Sequence, residues 1–306
     1  MHIYSDPIYI EHEVPDGHPE RADRVRALID HFEVSGISQD YPLRRATPAT
    51  DEDLLRAHTQ PHLDFIASMA PAAGNPAVPL DPDTWLGSRS SSVARSAAGA
   101  VCDGVEALLS GATQRVFCAV RPPGHHAEHS SAMGFCLFNS VAVGALKALA
   151  HVDIERVAIL DFDVHHGNGT VDIFHENPAV LVCSSFQHPY YPNRLFDLDA
   201  ENIVNTPLAA GSDGTAFRHS IERDWLPALQ RHQPQLILVS AGFDAHQADP
   251  LANINLVDDD FAWVTALIVD AAMQYSDGRV LSTLEGGYDL NALVSSAAAH
   301  LACLAD

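Results

Sequence analysis

Residues 157–168, Val-Ala-Ile-Leu-Asp-Phe-Asp-Val-His-His-Gly-Asn, decide how the chain is read. The apolar run Val157 to Leu160 has the character of a strand covered on both faces, because a strand with one wet face alternates apolar and polar side chains. The polar burst that follows, Asp161 to Asn168, then falls at the strand's carboxyl end, where open parallel sheets collect their ligands. The same grammar recurs. Val116 to Val120 runs into Arg121-Pro-Pro-Gly-His125-His126, Leu236 to Val239 into Ser-Ala-Gly-Phe-Asp244, and Val280 to Leu284 into Glu285-Gly-Gly-Tyr288, while Ala179 to Cys183 reads as a further strand of the same type. Helical periodicity occupies Ser90 to Leu109, Ser140 to Ala150, Phe217 to His232, Asp259 to Tyr275 and Leu290 to Leu304, with upstream helices at Arg21 to Phe32 and around Leu63. Strands alternating with helices predict an α/β fold with a mostly parallel central sheet and helices on both faces. No linker, repeat or low-complexity stretch interrupts the series, so residues 1–306 read as a single domain. Two long connections, Pro71 to Ser88 and Ser184 to Thr215, are expected to line a site.

Composition narrows the function. With 47% hydrophobic and 19% charged residues the chain has material for a large core and too little polarity for disorder. A formal charge of −23 repels a phosphate backbone and attracts cationic molecules, so nucleic acid is excluded as an expected partner. The five cysteines have no Cys-x-x-Cys spacing and sit mostly in apolar runs, as reduced core thiols do. Without a signal-peptide pattern or a long apolar span, the expectation is a soluble cytoplasmic protein with no membrane partner. Eighteen histidines, several of them paired, direct attention to metal chemistry.

Asp163 and His165 are separated by one residue, so in an extended segment both reach toward one ion. A lone Asp-x-His is also an ordinary polar turn, but Asp244 at the end of another strand completes a set. Two carboxylates and one imidazole leave a position for water, the layout of a catalytic rather than a structural zinc site. His125 and His126, on a rigid Pro-Pro-Gly approach, are candidates for general base and acid. Asp161 and Asn168 bracket the metal pair where each can engage the second nitrogen of an imidazole. A carboxylate partner raises a histidine's basicity and an amide does not, so the two histidines are expected to differ. Tyr288, after two glycines, supplies a phenolic hydroxyl for a developing oxyanion.

Taken together and in order, RPPGHHA (121–127), GFCLFNS (134–140), DFDVHHGNGT (161–170), SAGFDAH (240–246), DPL (249–251) and LEGGY (284–288) resemble the zinc-dependent histone deacetylase family, which includes acetylpolyamine amidohydrolases; a weaker likeness extends upstream through GHPERADR (17–24). The resemblance implies an arginase-like α/β domain that hydrolyses an N-acetylated amine to acetate and free amine. It implies Asp163, His165 and Asp244 as zinc ligands, His125 and His126 as the tandem histidines and Tyr288 as the transition-state tyrosine. It further implies Phe135 and Tyr191 as walls of an acyl-lysine tunnel lined by Gly134 and Gly286, and Arg21 beside an internal acetate cavity. A structural potassium ion is implied near Asp161, Asp163 and His165.

Asn168, where one branch of the family has aspartate, places the chain nearer the class II-like members. Leu251 stands at a gate position where a dedicated polyamine deacetylase carries glutamate, so the expected substrate is an acetylated lysine side chain in a peptide or protein, with an acetylated polyamine or other small amine as the alternative. A carboxylate in the loop Asp81 to Asp83 would favour that alternative. An arginase-type metal pair would need a carboxylate two residues after His165, where Gly167 stands. An inactive ligand-binding member is the remaining rival. Oligomeric state is left open.

Overall fold

In a computed structural model describing residues 1–306, the expected strands lie side by side in one parallel sheet. In chain order the strands are β1 (His2–Tyr4), β2 (Leu43–Arg44), β3 (Val78–Pro79), β4 (Trp85–Leu86), β5 (Arg115–Cys118), β6 (Val157–Asp161), β7 (Val180–Gln187), β8 (Ile203–Leu208), β9 (Leu236–Ala241) and β10 (Val280–Leu284). The main sheet has eight strands in the order β2-β1-β5-β10-β9-β6-β7-β8, every neighbouring pair parallel, and β3 and β4 form a separate antiparallel pair.

The unbroken apolar run of β6 has its cause in two cores. Val157 and Ile159 point into a cluster built with the helices Ser90–Leu109 and Ser140–Leu149, while Ala158 and Leu160 point into a second cluster with the helices Asp23–Val34, Gly214–His232, Asp258–Tyr275 and Leu290–Ala305. Successive side chains of a strand face opposite ways, so a sheet buried on both faces needs apolar residues at every position. No helix is long and apolar enough to cross a membrane.

The expected helices are present with shifted ends: Arg21 to Phe32 is Asp23–Val34, the helix around Leu63 is Gln60–Met69, and Phe217 to His232 begins at Gly214 under an Asp213 cap. Three strands of the main sheet carry no signal of the expected kind. β1 and β2 have three and two residues, too few for a period. The segment Ser184 to Thr215, expected as a loop, contains the end of β7 and all of β8. The polar residues Ser184, Ser185 and Gln187 are buried in β7, and β8 is an edge strand whose Asn205 and Pro207 suit a place with one neighbour only. β5 stops at Cys118, two residues short of Val120.

Candidate metal and catalytic site

Strands β5, β10, β9 and β6 occupy consecutive places in the sheet, so the polar segments that follow them emerge next to one another. This adjacency gathers residues from 121 to 288 into one site. Asp163, His165 and Asp244 are buried, and one potential ligand atom from each lies within 4.8 Å of the others. His165 Nδ1 is 3.1 Å from Asp163 Oδ1 and 3.1 Å from Asp244 Oδ2. Main-chain donors aim both carboxylates: Gly286 N–H donates to Asp163 Oδ2 at 2.8 Å and Val164 N–H to Asp244 Oδ1 at 2.9 Å. Gly286 must be glycine, since a Cβ there would run into both carboxylates.

The electrostatics of this trio suit a cation. Burial pushes Asp244 up to about 7, with the charge of Asp163 adding to it. Burial opposes a charged His165, yet its hydrogen bonds to Asp163 and Asp244 outweigh that and raise it to about 10. Two buried carboxylates thus compete for a single positive group. A divalent ion of the zinc type, bound by oxygen and nitrogen donors, matches the donor set. The main-chain carbonyls of Asp163 and His165 receive no hydrogen bond from the protein.

The tandem histidines differ as their partners differ. His125 Nδ1 lies 2.8 Å from Asp161 Oδ2, and His126 Nδ1 lies 2.7 Å from Asn168 Oδ1. Burial disfavours the cation of His125, but Asp161 and Asp163 overcome it and hold its pKa well above the ordinary histidine value. Burial and the neighbouring His125 and His165 hold His126 well below that value. The two rings are 4.0 Å apart.

A cavity of about 150 Å³ opens onto these groups. His125, His126, His165, Gly134, Gly286 and Tyr288 line it, together with the rings of Phe135, Tyr190 and Tyr191, and with Leu251 and Asp83. The Tyr191 ring stands edge-on to His126 at 5.3 Å, and Phe135 edge-on to Tyr288 at 5.8 Å. Gly134 and Phe135 both take a left-handed backbone conformation (φ 58° and 67°), and a Cβ on Gly134 would collide with the His126 ring. Asp249 ties the rim together by accepting from Leu251 N–H and Tyr288 N–H. Apart from Arg21, every site residue expected from the sequence lies in or directly behind one cavity, with Asp161 and Asn168 behind the histidines.

One expectation is corrected. Arg21 is half exposed and pairs with Asp23 at the surface. Arg24, one helical turn on, is the buried arginine: its Nε donates to the Gly287 carbonyl at 2.6 Å and its guanidinium lies 4.8 Å from the Tyr288 ring centre. The helix starting at Asp23 turns position 24 inward, where it shares buried Glu20 with Arg121, at 3.3 and 2.6 Å respectively.

Other contributors escaped the sequence reading. Glu285 accepts from Gly124 and His125 N–H at 2.6 and 3.1 Å, fixing the loop that carries the tandem histidines. Burial raises its carboxyl to about 7. Tyr190 stacks on His165 at 5.8 Å, and buried Glu128 accepts from Asn168 Nδ2 at 2.7 Å. The doubled Tyr-Tyr before Pro192 was the available signal for Tyr190; a carboxylate two residues beyond the tandem histidines was that for Glu128.

Fold, buried trio and paired imidazoles form a candidate metal and proton-transfer site at the carboxyl edge of a parallel sheet. The family described as the histone deacetylase domain matches residues 18–304. A histone deacetylase-like amidohydrolase of Pseudomonas aeruginosa is 40% identical over 281 residues, covering 89% of this chain and 73% of that protein. An uncharacterised protein of Synechocystis is 40% identical over 300 residues, covering 96% of this chain and 95% of its own. The crystal structure of the HDA15 HD domain superposes with a TM-score of 0.91 at 32% identity, over all of this chain and 91% of that one. The chain belongs to the histone deacetylase family, a membership that makes it a hydrolase and implies zinc dependence.

Proposed function

We propose that this protein is a deacylase that hydrolyses the amide of an N-acetylated lysine side chain, releasing acetate and the free amine. The observation that carries the reading is the convergence, in one aromatic-walled cavity, of the Asp163–His165–Asp244 trio with two histidines tuned in opposite directions. Zinc held by that trio would polarise the scissile carbonyl and acidify the attacking water.

The chain's own groups do the rest. His126 gives its Nδ1 hydrogen to Asn168, so its Nε2 lone pair is free to take a proton from the water and return it to the leaving amine. His125, charged by Asp161, contributes a positive field beside it. The Tyr288 hydroxyl donates to the oxyanion as it develops on the carbonyl oxygen, while Arg24 and Asp249 hold the ring and backbone of that residue. Phe135, Tyr190 and Tyr191 exclude water along the methylene stem. A structural potassium ion on the carbonyls around Asp161, Asp163 and His165 is part of the same reading.

Removing only the hydroxyl, as in Tyr288→Phe, is expected to lower kcat by about 10²–10³-fold, the usual worth of an oxyanion donor, with zinc stoichiometry unchanged. Normal turnover in that variant would remove Tyr288 from the mechanism.

The second reading, an acetylpolyamine amidohydrolase, draws support from Asp83, an acidic residue in the cavity lining that could pair with a fixed ammonium. Leu251 offers no charge beside it. The deciding measurement is a panel of acetylated peptides and acetylated polyamines assayed with defined metals. A peptide flanked by Lys or Arg should exceed its Glu-flanked counterpart in kcat/KM, with a gap that closes as salt shortens the Debye length toward about 3 Å at 1 M. Strong turnover of acetylspermidine with none of any peptide would transfer the site to the second reading.

A further inference from the structure

The side-chain amide of Asn168 faces two partners with opposite ends. Its Oδ1 lies 2.7 Å from His126 Nδ1, and its Nδ2 lies 2.7 Å from Glu128 Oε1, with longer contacts to Met133 Sδ and the His126 carbonyl. An amide oxygen only accepts and an amide nitrogen only donates. Unlike an aspartate, which accepts at both ends, Asn168 presents the right end to His126 only if something chooses its orientation. Glu128 does so, because an ionised carboxylate accepts and never donates and therefore draws the NH₂ end. Oδ1 is left for the imidazole, the imidazole must carry its hydrogen on Nδ1, and Nε2 is bare. With the amide reversed, Nδ1 would accept, the hydrogen would move to Nε2, and His126 would have no lone pair to offer.

We propose that Glu128 is a positioning residue that sets the tautomer of His126 through the orientation of Asn168. The inference rests on His126 being the group that takes the proton. Glu128 is buried, is not among the residues lining the cavity, and reaches His126 only through the amide. The same Oε1 is 3.0 Å from Nε of Arg194, which follows the segment carrying Tyr190 and Tyr191. A change at Glu128 therefore has two routes to the site, and the test must separate them.

Glu128→Leu keeps bulk and removes the acceptor. Hydrogen bonds to a charged group favour one amide orientation strongly enough that kcat is expected to fall about ten- to a hundredfold, with KM and zinc content nearly unchanged. Glu128→Gln, which keeps an acceptor in the same place, should lose less and guards against misfolding in the leucine variant. The decisive arm is rescue. In the double variant Glu128→Leu/Asn168→Asp the residue at 168 accepts at both ends, so kcat should recover toward the parent value. Asn168→Asp alone sets two carboxylates against each other and should be less active than the double variant.

A double variant no faster than Glu128→Leu would overturn the inference. So would an Arg194→Ala variant with the same loss of kcat as Glu128→Leu, because the effect would then run through the tyrosine segment. If His126→Ala loses activity while Glu128→Leu does not, the tautomer link fails by itself; if His126→Ala keeps its rate, the mechanistic reading beneath the link fails with it.

Discussion

Asp244→Ala is expected to remove the divalent ion and turnover together, and Asp163→Ala to do the same. Each supplies one carboxylate of a three-donor set whose ligand atoms lie within 4.8 Å of one another, and both are buried. Removing either leaves a single carboxylate and one imidazole, and a site reduced to two protein donors binds zinc weakly. Metal per chain, measured after dialysis, and hydrolysis of an acetylated lysine peptide should both drop to background. Retention of one ion per chain by both variants would place the metal elsewhere. The comparison has an internal check in the fold: Asp163 receives Gly286 N–H and Asp244 receives Val164 N–H, so each change also frees a main-chain donor and should lower the melting temperature modestly.

His126→Ala comes next in size. Proton-transfer groups contribute about 10²–10⁴-fold, and a bare Nε2 on an imidazole of low basicity is placed to act as base first and acid afterwards. The loss should fall on kcat with metal content kept. His125→Ala should cost less, since the role proposed for His125 is mainly that of a charge. A His125→Ala enzyme slower than His126→Ala would reverse the two assignments.

What the sequence made legible follows from range. Asp163 and His165 are near neighbours at a strand end, and their common direction is a property of extended backbone; Asp244 and Tyr288 announce themselves by the same position after β9 and β10. The sheet order that makes the ends of β5, β10, β9 and β6 adjacent is not local, and no single stretch of sequence carries it. Contacts across the fold left weaker marks. The stretch His18 to Arg24 contains two arginines, and only the start of the helix at Asp23 decides that Arg24, not Arg21, turns toward Tyr288. Glu285 and Glu128 stand in polar segments among other polar residues, and their importance lies in which main-chain or amide hydrogen each accepts. The short strands β1 and β2 have no period to read, and in β8 Asn205 and Pro207 interrupt the apolar run.

The place of β10 in the sheet bears on the order in which the site comes into being. It is the last strand of the chain, yet it lies between β5 and β9. Without residues 280–284 the sheet order falls into two pieces: β2-β1-β5, followed by the loop with His125 and His126, and β9-β6-β7-β8, followed by the segments with Asp163, His165 and Asp244. In this topology the Asp163–His165–Asp244 trio belongs to one piece and the tandem histidines to the other. The strand that joins them also delivers Gly286 and Tyr288, so the cavity is expected to be complete only once β10 is in place.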